Sequence, residues 1–135
     1  MPTMTTIPMG TILYHGTDSE GFDESVDELE GPAWLSTSMS VAKYFATRHG
    51  DSTGRQRIVT YRLLQDLSLY ELLSKQDAQE MDDEFNISFD GVWEMRDSVA
   101  QSGIPGWIAP YNYPDGDDIL IVNTSLLEFV GSSAC

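Results

Sequence analysis

Short apolar runs separated by polar and glycine-rich stretches set the pattern of this chain. The runs with β-branched, aromatic or aliphatic character predict strands at Thr11–Tyr14, Ala33–Leu35, Ile58–Leu63, Trp107-Ile108, Asp118–Val122 and Leu126–Val130. Leu67–Leu72 fits either a further strand or the start of a helix. We expect Leu126–Val130 to pair with Asp118–Val122 through the turn at residues 123–125.

Helical patterns fill the middle of the chain. Ser38 and Ser40 are both candidate N-caps for a helix over Val41–Arg48, and Ser74 is a candidate cap for a helix over Ser74–Glu84. A further helix is expected within Phe85–Val99. Strands at both ends with helices between them indicate an α+β fold with a mainly antiparallel sheet.

Length and composition predict one folded domain. The chain has 135 residues with 41% hydrophobic content, and we expect a loose arm at residues 1–10, a domain over residues 11–131 and a frayed end at residues 132–135. No apolar run approaches the ~18 residues of a membrane span, and no signal peptide is visible, so we expect a cytoplasmic protein. The single cysteine, Cys135, excludes a disulfide within the chain, and no spacing of ligands predicts a metal site.

The charge is strongly acidic. Against 7 basic residues stand 22 acidic ones, for a net charge of −15, which argues against free nucleic acid as a direct partner. The acids concentrate at residues 18–30 and 77–97. They fit a solvated surface, or a surface that attracts a basic partner such as a nucleic-acid-binding protein. Five of the basic residues fall within residues 43–62, compatible with a local phosphate site or with strand edges and helix ends.

Two predicted strands end on residues that can bind a polar ligand. The run ending at His15 is followed by Gly16 and Thr17, and the second run ends on the hydroxyls of residues 36–38, directly before a helix. We expect Gly16 to allow a sharp turn. Each pattern also has an ordinary structural interpretation, a histidine bonded within its loop and a helix-capping triplet.

These residues resemble the motifs of the ADP-ribosyltransferase superfamily. The segment Leu13–Thr17 matches a first motif often written L-x-H-G-[ST], and Trp34–Ser38 matches a second often written [YFW]-x-S-T-S. The histidine is typical of the diphtheria-toxin-like and poly(ADP-ribose)-polymerase-like branch, whereas the S-T-S triplet is typical of the other branch. The resemblance implies a split, mainly antiparallel sheet core and an enzyme that transfers ADP-ribose from NAD, its co-substrate, to a macromolecule, foremost a protein, with release of nicotinamide.

The resemblance also implies roles for individual residues in binding NAD. His15 would hold ribose hydroxyls, the backbone of Gly16 would bond the nicotinamide amide, and Thr17 would complete this first motif. Trp34 would stack on the nicotinamide ring, and Ser36 would support the ribose and the catalytic acid.

A second stacking residue and a cation complete the implied NAD site. Phe45 is the better positional match for the second aromatic, and Tyr44 is its alternative; both also fit a plain core or surface position. Arg57, with Arg55 or Arg62 as alternatives, would meet the diphosphate.

The third motif of the superfamily is an acid just before an apolar strand near the C-terminus. Asp118 has this position, although glutamate is the common residue and aspartate is one methylene shorter. Asp117 and Asp115 are rivals for the role, and a turn that merely starts the strand is the alternative. Two other functions remain open: an NAD glycohydrolase-type toxin or effector of the same fold, and a non-catalytic acidic inhibitor of a basic nucleic-acid-binding protein.

Overall fold

The fold combines helices with two mainly antiparallel sheets, which confirms the predicted α+β class. The computed structural model describes residues 3–17, 31–47, 56–113 and 116–134. Its strands are β1 Met4–Ile7, β2 Ile12–Thr17, β3 Ala33–Leu35, β4 Arg57–Leu63, β5 Leu67–Glu71, β6 Gly106–Tyr113, β7 Gly116–Ile121 and β8 Leu127–Ala134. Its helices are α1 Met39–Thr47, α2 Lys75–Phe85 and α3 Val92–Ser102, with a 3-10 turn at Thr124–Leu126. The acidic run at residues 18–30, Arg48, Arg55 and Asp115 lie outside the described residues.

The strands form two sheets that meet at one point. One has the order β1-β5-β6-β7-β3 and the other the order β2-β4-β8; within the described residues only the β5–β6 pair is parallel. Tyr14 and Ser36 exchange both backbone hydrogen bonds, at 2.8 and 2.9 Å, as an isolated antiparallel bridge. The middle of β2 is therefore fixed beside the end of β3.

Two apolar clusters hold these layers together. The first joins side chains of both sheets, among them Leu13, Tyr61, Leu35 and Ile119. The second gathers Met81, Ile87, Val99, Trp107 and Leu120, from α2, the segment between α2 and α3, α3 itself, and the strands β6 and β7. The sheet of β7 and β3 therefore contributes to both clusters, because successive side chains of a strand point to opposite faces.

The last strand pairs differently from the prediction. β8 pairs with β4, not with β7, so the expected hairpin is wrong. The turn at residues 123–125 exists, but the chain after it runs to the other sheet. There the backbone N–H of Leu64, just after β4, donates to the carbonyl of Leu126 at 2.8 Å. There Arg62 forms an ion pair with Glu128 at 2.9 Å.

The chain ends also differ from the expected loose segments. Met4–Ile7, predicted as part of an arm, forms β1 and pairs with β5, since its Thr-Thr-Ile run suits a strand. β8 continues through residues 132–134, which were expected to fray. In the described part of the chain, no helix is both long enough and apolar enough to cross a membrane.

Gly16 does not produce the predicted sharp turn. Strand β2 continues through it to Thr17. An added Cβ at Gly16 would overlap the carbonyl oxygen of Ala42 and lie 2.9 Å from the backbone nitrogen of Ala46, both in α1. The glycine is therefore required by the close approach of α1 to β2.

Candidate functional site

His15 and Trp34 meet where the two sheets join. The Nδ1 atom of His15 lies 2.8 Å from the carbonyl oxygen of Trp34. Because a carbonyl only accepts hydrogen bonds, Nδ1 carries the proton and donates. In the neutral ring Nε2 is then an acceptor, suited to a ligand hydroxyl.

The surroundings of His15 favour its neutral form. Burial lowers the pKa of His15, the hydrogen bond to Trp34 acts in the opposite direction, and the positive charge of Arg96 lowers the pKa further. Arg96 lies on α3, and its Nε donates to the carbonyl of Pro32 at 2.8 Å, just before β3. His15 is therefore held as a hydrogen-bonding group with defined donor and acceptor atoms.

Ser36, Thr37 and Asp117 form a network at the start of α1. Ser36 is fully buried; its Oγ donates to Asp117 Oδ1 at 3.0 Å and accepts from the backbone N–H of Ser38 at 3.0 Å. Asp117 also accepts from the backbone N–H and the hydroxyl of Thr37, each at 2.8 Å. The register of β3 against β7 brings these residues together, since Leu35 is opposite Ile119. The carboxylate of Asp117 thus ties the end of β3 to β7.

Asp118 belongs to a cavity instead. The cavity measures about 360 Å³ and is lined by Trp34, Leu72, Ser74, Lys75, Ala78, Phe89, Met95, Trp107, Ala109 and Asp118. Its volume falls within the roughly 300–1,000 Å³ of small-molecule sites. Adjacent aspartates of β7 therefore have different surroundings, as the alternation of a strand requires.

The lining of this cavity suits a flat cation. Trp34 and Trp107 supply aromatic surface, and the ring of Phe89 lies 5.5 Å from that of Trp107. The Oδ1 atom of Asp118 is buried among them. Aromatic faces attract cations, and a carboxylate in apolar surroundings interacts strongly with positive charge. Lys75, exposed at the start of α2, is a cation at the rim.

Trp34 connects the strand ends with the cavity. Its carbonyl accepts the His15 hydrogen bond, while its side chain lines the cavity. Helix α3 borders both places, because Met95 lines the cavity and the charge of Arg96 reaches His15. Trp34 thus links His15 to the cavity that Asp118 also lines.

Other candidate residues lie at a distance from the cavity lining. Tyr44 and Phe45 are on α1, with ring centroids 6.1 Å apart, and neither lines the cavity; Tyr44 is 54% exposed. Thr17 pairs with Arg57 at the end of the β2–β4 ladder. Because paired residues share a face, both lie on the face that carries His15.

Arg62 is removed from the site. It lies on the other face of β4 from Arg57 by alternation, and it is engaged with Glu128. Among the described residues, no group of three or more His, Cys, Asp or Glu side chains has the geometry of a metal site.

Sequence reasoning missed Arg96. It lies 62 residues beyond Trp34 and within the acidic stretch 77–97, so neither spacing nor motif singled it out. The available signal was weak: one cation lies three residues after Trp93 on a predicted helix.

The fold is similar to one chain of the M. tuberculosis MbcT–MbcA toxin–antitoxin complex. The TM-score is 0.56 at 16% sequence identity, over 96% of this chain and 86% of that chain. At this identity the likeness shows a shared fold and no more. No protein-family model matches the chain, and no curated protein sequence matches it.

Proposed function

We propose that this chain cleaves NAD, releases nicotinamide and transfers ADP-ribose to a macromolecular acceptor, foremost a protein. The observation that carries the proposal is the pairing of Trp34 and Asp118 in one cavity, with His15 bonded to the carbonyl of Trp34. Three strands, β2, β3 and β7, thereby supply an imidazole to bind ribose, an aromatic surface and a carboxylate, the three kinds of group that the reaction needs.

The cavity would take the nicotinamide end of NAD. The nicotinamide ring of NAD is flat and positively charged, so it matches the faces of Trp34 and Trp107 and the carboxylate of Asp118. His15 Nε2 would accept a hydrogen bond from a ribose hydroxyl. Arg57 and Thr17, on the same face as His15, are candidates for contacts farther along the dinucleotide.

The chemistry requires charge stabilisation at the ribose. The bond between the ribose C1′ and the ring nitrogen breaks, the electron pair leaves with neutral nicotinamide, and positive charge develops on the ribose. The carboxylate of Asp118 stabilises that charge, a preorganised electrostatic effect worth about 3–4 kcal/mol per group. A nucleophile of the acceptor then bonds to C1′ and releases its proton to the solvent.

Ser36 and Asp117 would keep this arrangement in place. Their hydrogen bond, at 3.0 Å, joins the end of β3 to β7, the two strands that carry Trp34 and Asp118. We assign Asp117 this positioning role, and Asp118 the contact with the ribose.

The test uses NAD labelled in its adenylate half. The purified protein is incubated with a cell lysate, and both free nicotinamide and label fixed to macromolecules are measured. Asp118→Asn and His15→Ala are expected to lose both signals. Asp83→Asn, an exposed position on α2 that does not line the cavity, is the matched control and is expected to keep them.

The outcomes separate three functions. Fixed label that depends on Asp118 identifies a transferase and its acceptor. NAD that stays intact under every condition removes the catalytic proposal and favours an acidic inhibitor, which would bind a basic protein in a salt-sensitive way.

A second candidate is an NAD glycohydrolase-type effector, in which water replaces the macromolecular acceptor. The likeness to a chain of a toxin–antitoxin complex favours this candidate, and it would bring a protein partner that restrains the activity. Release of nicotinamide without fixed label, lost in Asp118→Asn, is its expected signature.

A further inference from the structure

An exposed aromatic residue and a cation lie together on α3 beside the candidate site. Trp93 is 69% exposed, and the guanidinium carbon of Arg96 lies 5.7 Å from the centroid of its ring. The two residues are three positions apart, so they occupy one side of the helix. A large aromatic side chain at the surface is a common feature of binding sites.

Arg96 is bonded to the chain just before β3. Its Nε donates to the carbonyl of Pro32 at 2.8 Å, and two residues later Trp34 lines the cavity and accepts the His15 hydrogen bond. The residue before it, Met95, also lines the cavity. Arg96 therefore lies between the helix that contributes Met95 to the cavity and the strand that contributes Trp34, close enough for its charge to act on His15.

The charge of the chain makes a local cation necessary for any phosphate ligand. With a net charge of −15, the protein repels anions at long range. Among the described cations, Arg57 lies at the end of the β2–β4 ladder and Arg62 pairs with Glu128. Lys75 lines the cavity, and Arg96 bonds to Pro32, two residues before Trp34. Arg96 has the additional advantage of a guanidinium, whose planar donors suit phosphate oxygens.

We propose that Arg96 and Trp93 form a nucleotide platform, in which the guanidinium contacts the diphosphate and the indole stacks on the adenine. This inference rests on the proposed function, since it locates the adenylate half of the NAD whose nicotinamide ring the cavity would hold. Stacking on an aromatic residue and a charge-assisted contact to phosphate are both strong enough to direct a dinucleotide.

The test measures binding of two fragments by calorimetry, ADP-ribose for the platform and nicotinamide for the cavity. Arg96→Gln and Trp93→Ala are each expected to raise the Kd for ADP-ribose about tenfold and to leave the Kd for nicotinamide unchanged. Arg96→Lys is expected to recover part of the affinity. Arg62→Gln, remote on β4, is the matched control and is expected to bind both fragments as the wild type does.

Two results overturn the platform, and a second variant covers a failure of Arg96→Gln to fold. If Lys75→Gln weakens ADP-ribose binding and Arg96→Gln does not, the diphosphate lies at the α2 end of the cavity. If wild-type protein does not bind ADP-ribose, the platform is wrong even where nicotinamide is released from NAD. If Arg96→Gln loses its fold together with its hydrogen bond to Pro32, Trp93→Ala decides alone, because its exposed ring contributes little to packing.

The failure of the platform and that of the proposed function are distinguishable. Fragment binding needs no turnover, so it tests the platform in a protein that leaves NAD intact. Nicotinamide release with an unchanged KM for NAD in Arg96→Gln supports the function and refutes the platform.

Discussion

Replacing Gly16 by alanine tests how tightly α1 is seated on β2. The added Cβ would overlap the carbonyl oxygen of Ala42 and stand 2.8 Å from its carbonyl carbon and 2.9 Å from the nitrogen of Ala46. Ordinary contact begins at 3.4 Å. All three obstacles are backbone atoms of α1, so no side-chain rotation relieves the overlap and the helix must move away from the strand.

The expected cost follows from this geometry. Overpacking of a well-packed contact costs about 1–3 kcal/mol, and a backbone obstacle puts Gly16→Ala at the upper end. The gain from a less flexible unfolded chain offsets about 0.4–1 kcal/mol. We expect the free energy of unfolding to fall by about 2 kcal/mol and the Tm by roughly 8 °C.

Denaturant unfolding of Gly16→Ala beside Gly131→Ala measures this difference. Gly131 lies in β8, and a Cβ there would meet nothing within 4 Å, so its replacement is expected to change stability by less than about 1 kcal/mol. A stability for Gly16→Ala within about 0.5 kcal/mol of the wild type would refute the close packing of α1 on β2. Unchanged stability with lost nicotinamide binding would assign the glycine to the ligand.

Three further predictions concern the candidate site. Ser36→Ala removes the buried hydroxyl that donates to Asp117 and accepts from the N–H of Ser38. Chemical denaturation should therefore show that the free energy of unfolding falls by about 2 kcal/mol, whereas the control Ser38→Ala should lower it by less than about 1 kcal/mol. The folded-state pKa of His15 lies below its usual value, so the stability that the neutral ring contributes is present above pH ~6.5 and is lost as the pH falls through that value. Between pH 7.5 and 5.5 the His15→Gln variant should therefore lose less stability than the wild type. An equal loss in both proteins would refute the burial of the ring. Asp118→Asn should lower the kcat of nicotinamide release about 100-fold with little change in Tm, and retained turnover would exclude Asp118 as the acid.

Local signals predicted the elements whose determinants lie within a few residues. The Ala-Trp-Leu run of β3 stands between Pro32 and the hydroxyls that begin at Ser36, and its bounds agree with the prediction. Helix α2 begins after Ser74, whose side chain accepts from the N–H of Asp77 as a capping residue does. In both cases the sequence itself contains the start and the end of the element.

Pairing partners were not predictable in the same way. The turn near Asn123, whose side chain accepts from the N–H of Ser125, was correctly placed, but a turn does not specify which strand receives the chain after it. β1 was missed because its partner, β5, lies 60 to 66 residues away. Long-range pairing depends on the sum of core contacts, which no short window of sequence contains.

The adjacent aspartates of β7 show how far the sequence could lead at the site. Both precede the apolar end of the strand, so composition made Asp117 and Asp118 rivals for one role. The fold gives them separate surroundings: Asp117 accepts three hydrogen bonds at the end of β3, and Asp118 lines the cavity with Trp34. Three protein donors occupy the carboxylate of Asp117, which makes it a group that holds the end of β3 against β7. Strand alternation thereby places two neighbouring aspartates in different surroundings, Asp117 at the end of β3 and Asp118 at the cavity.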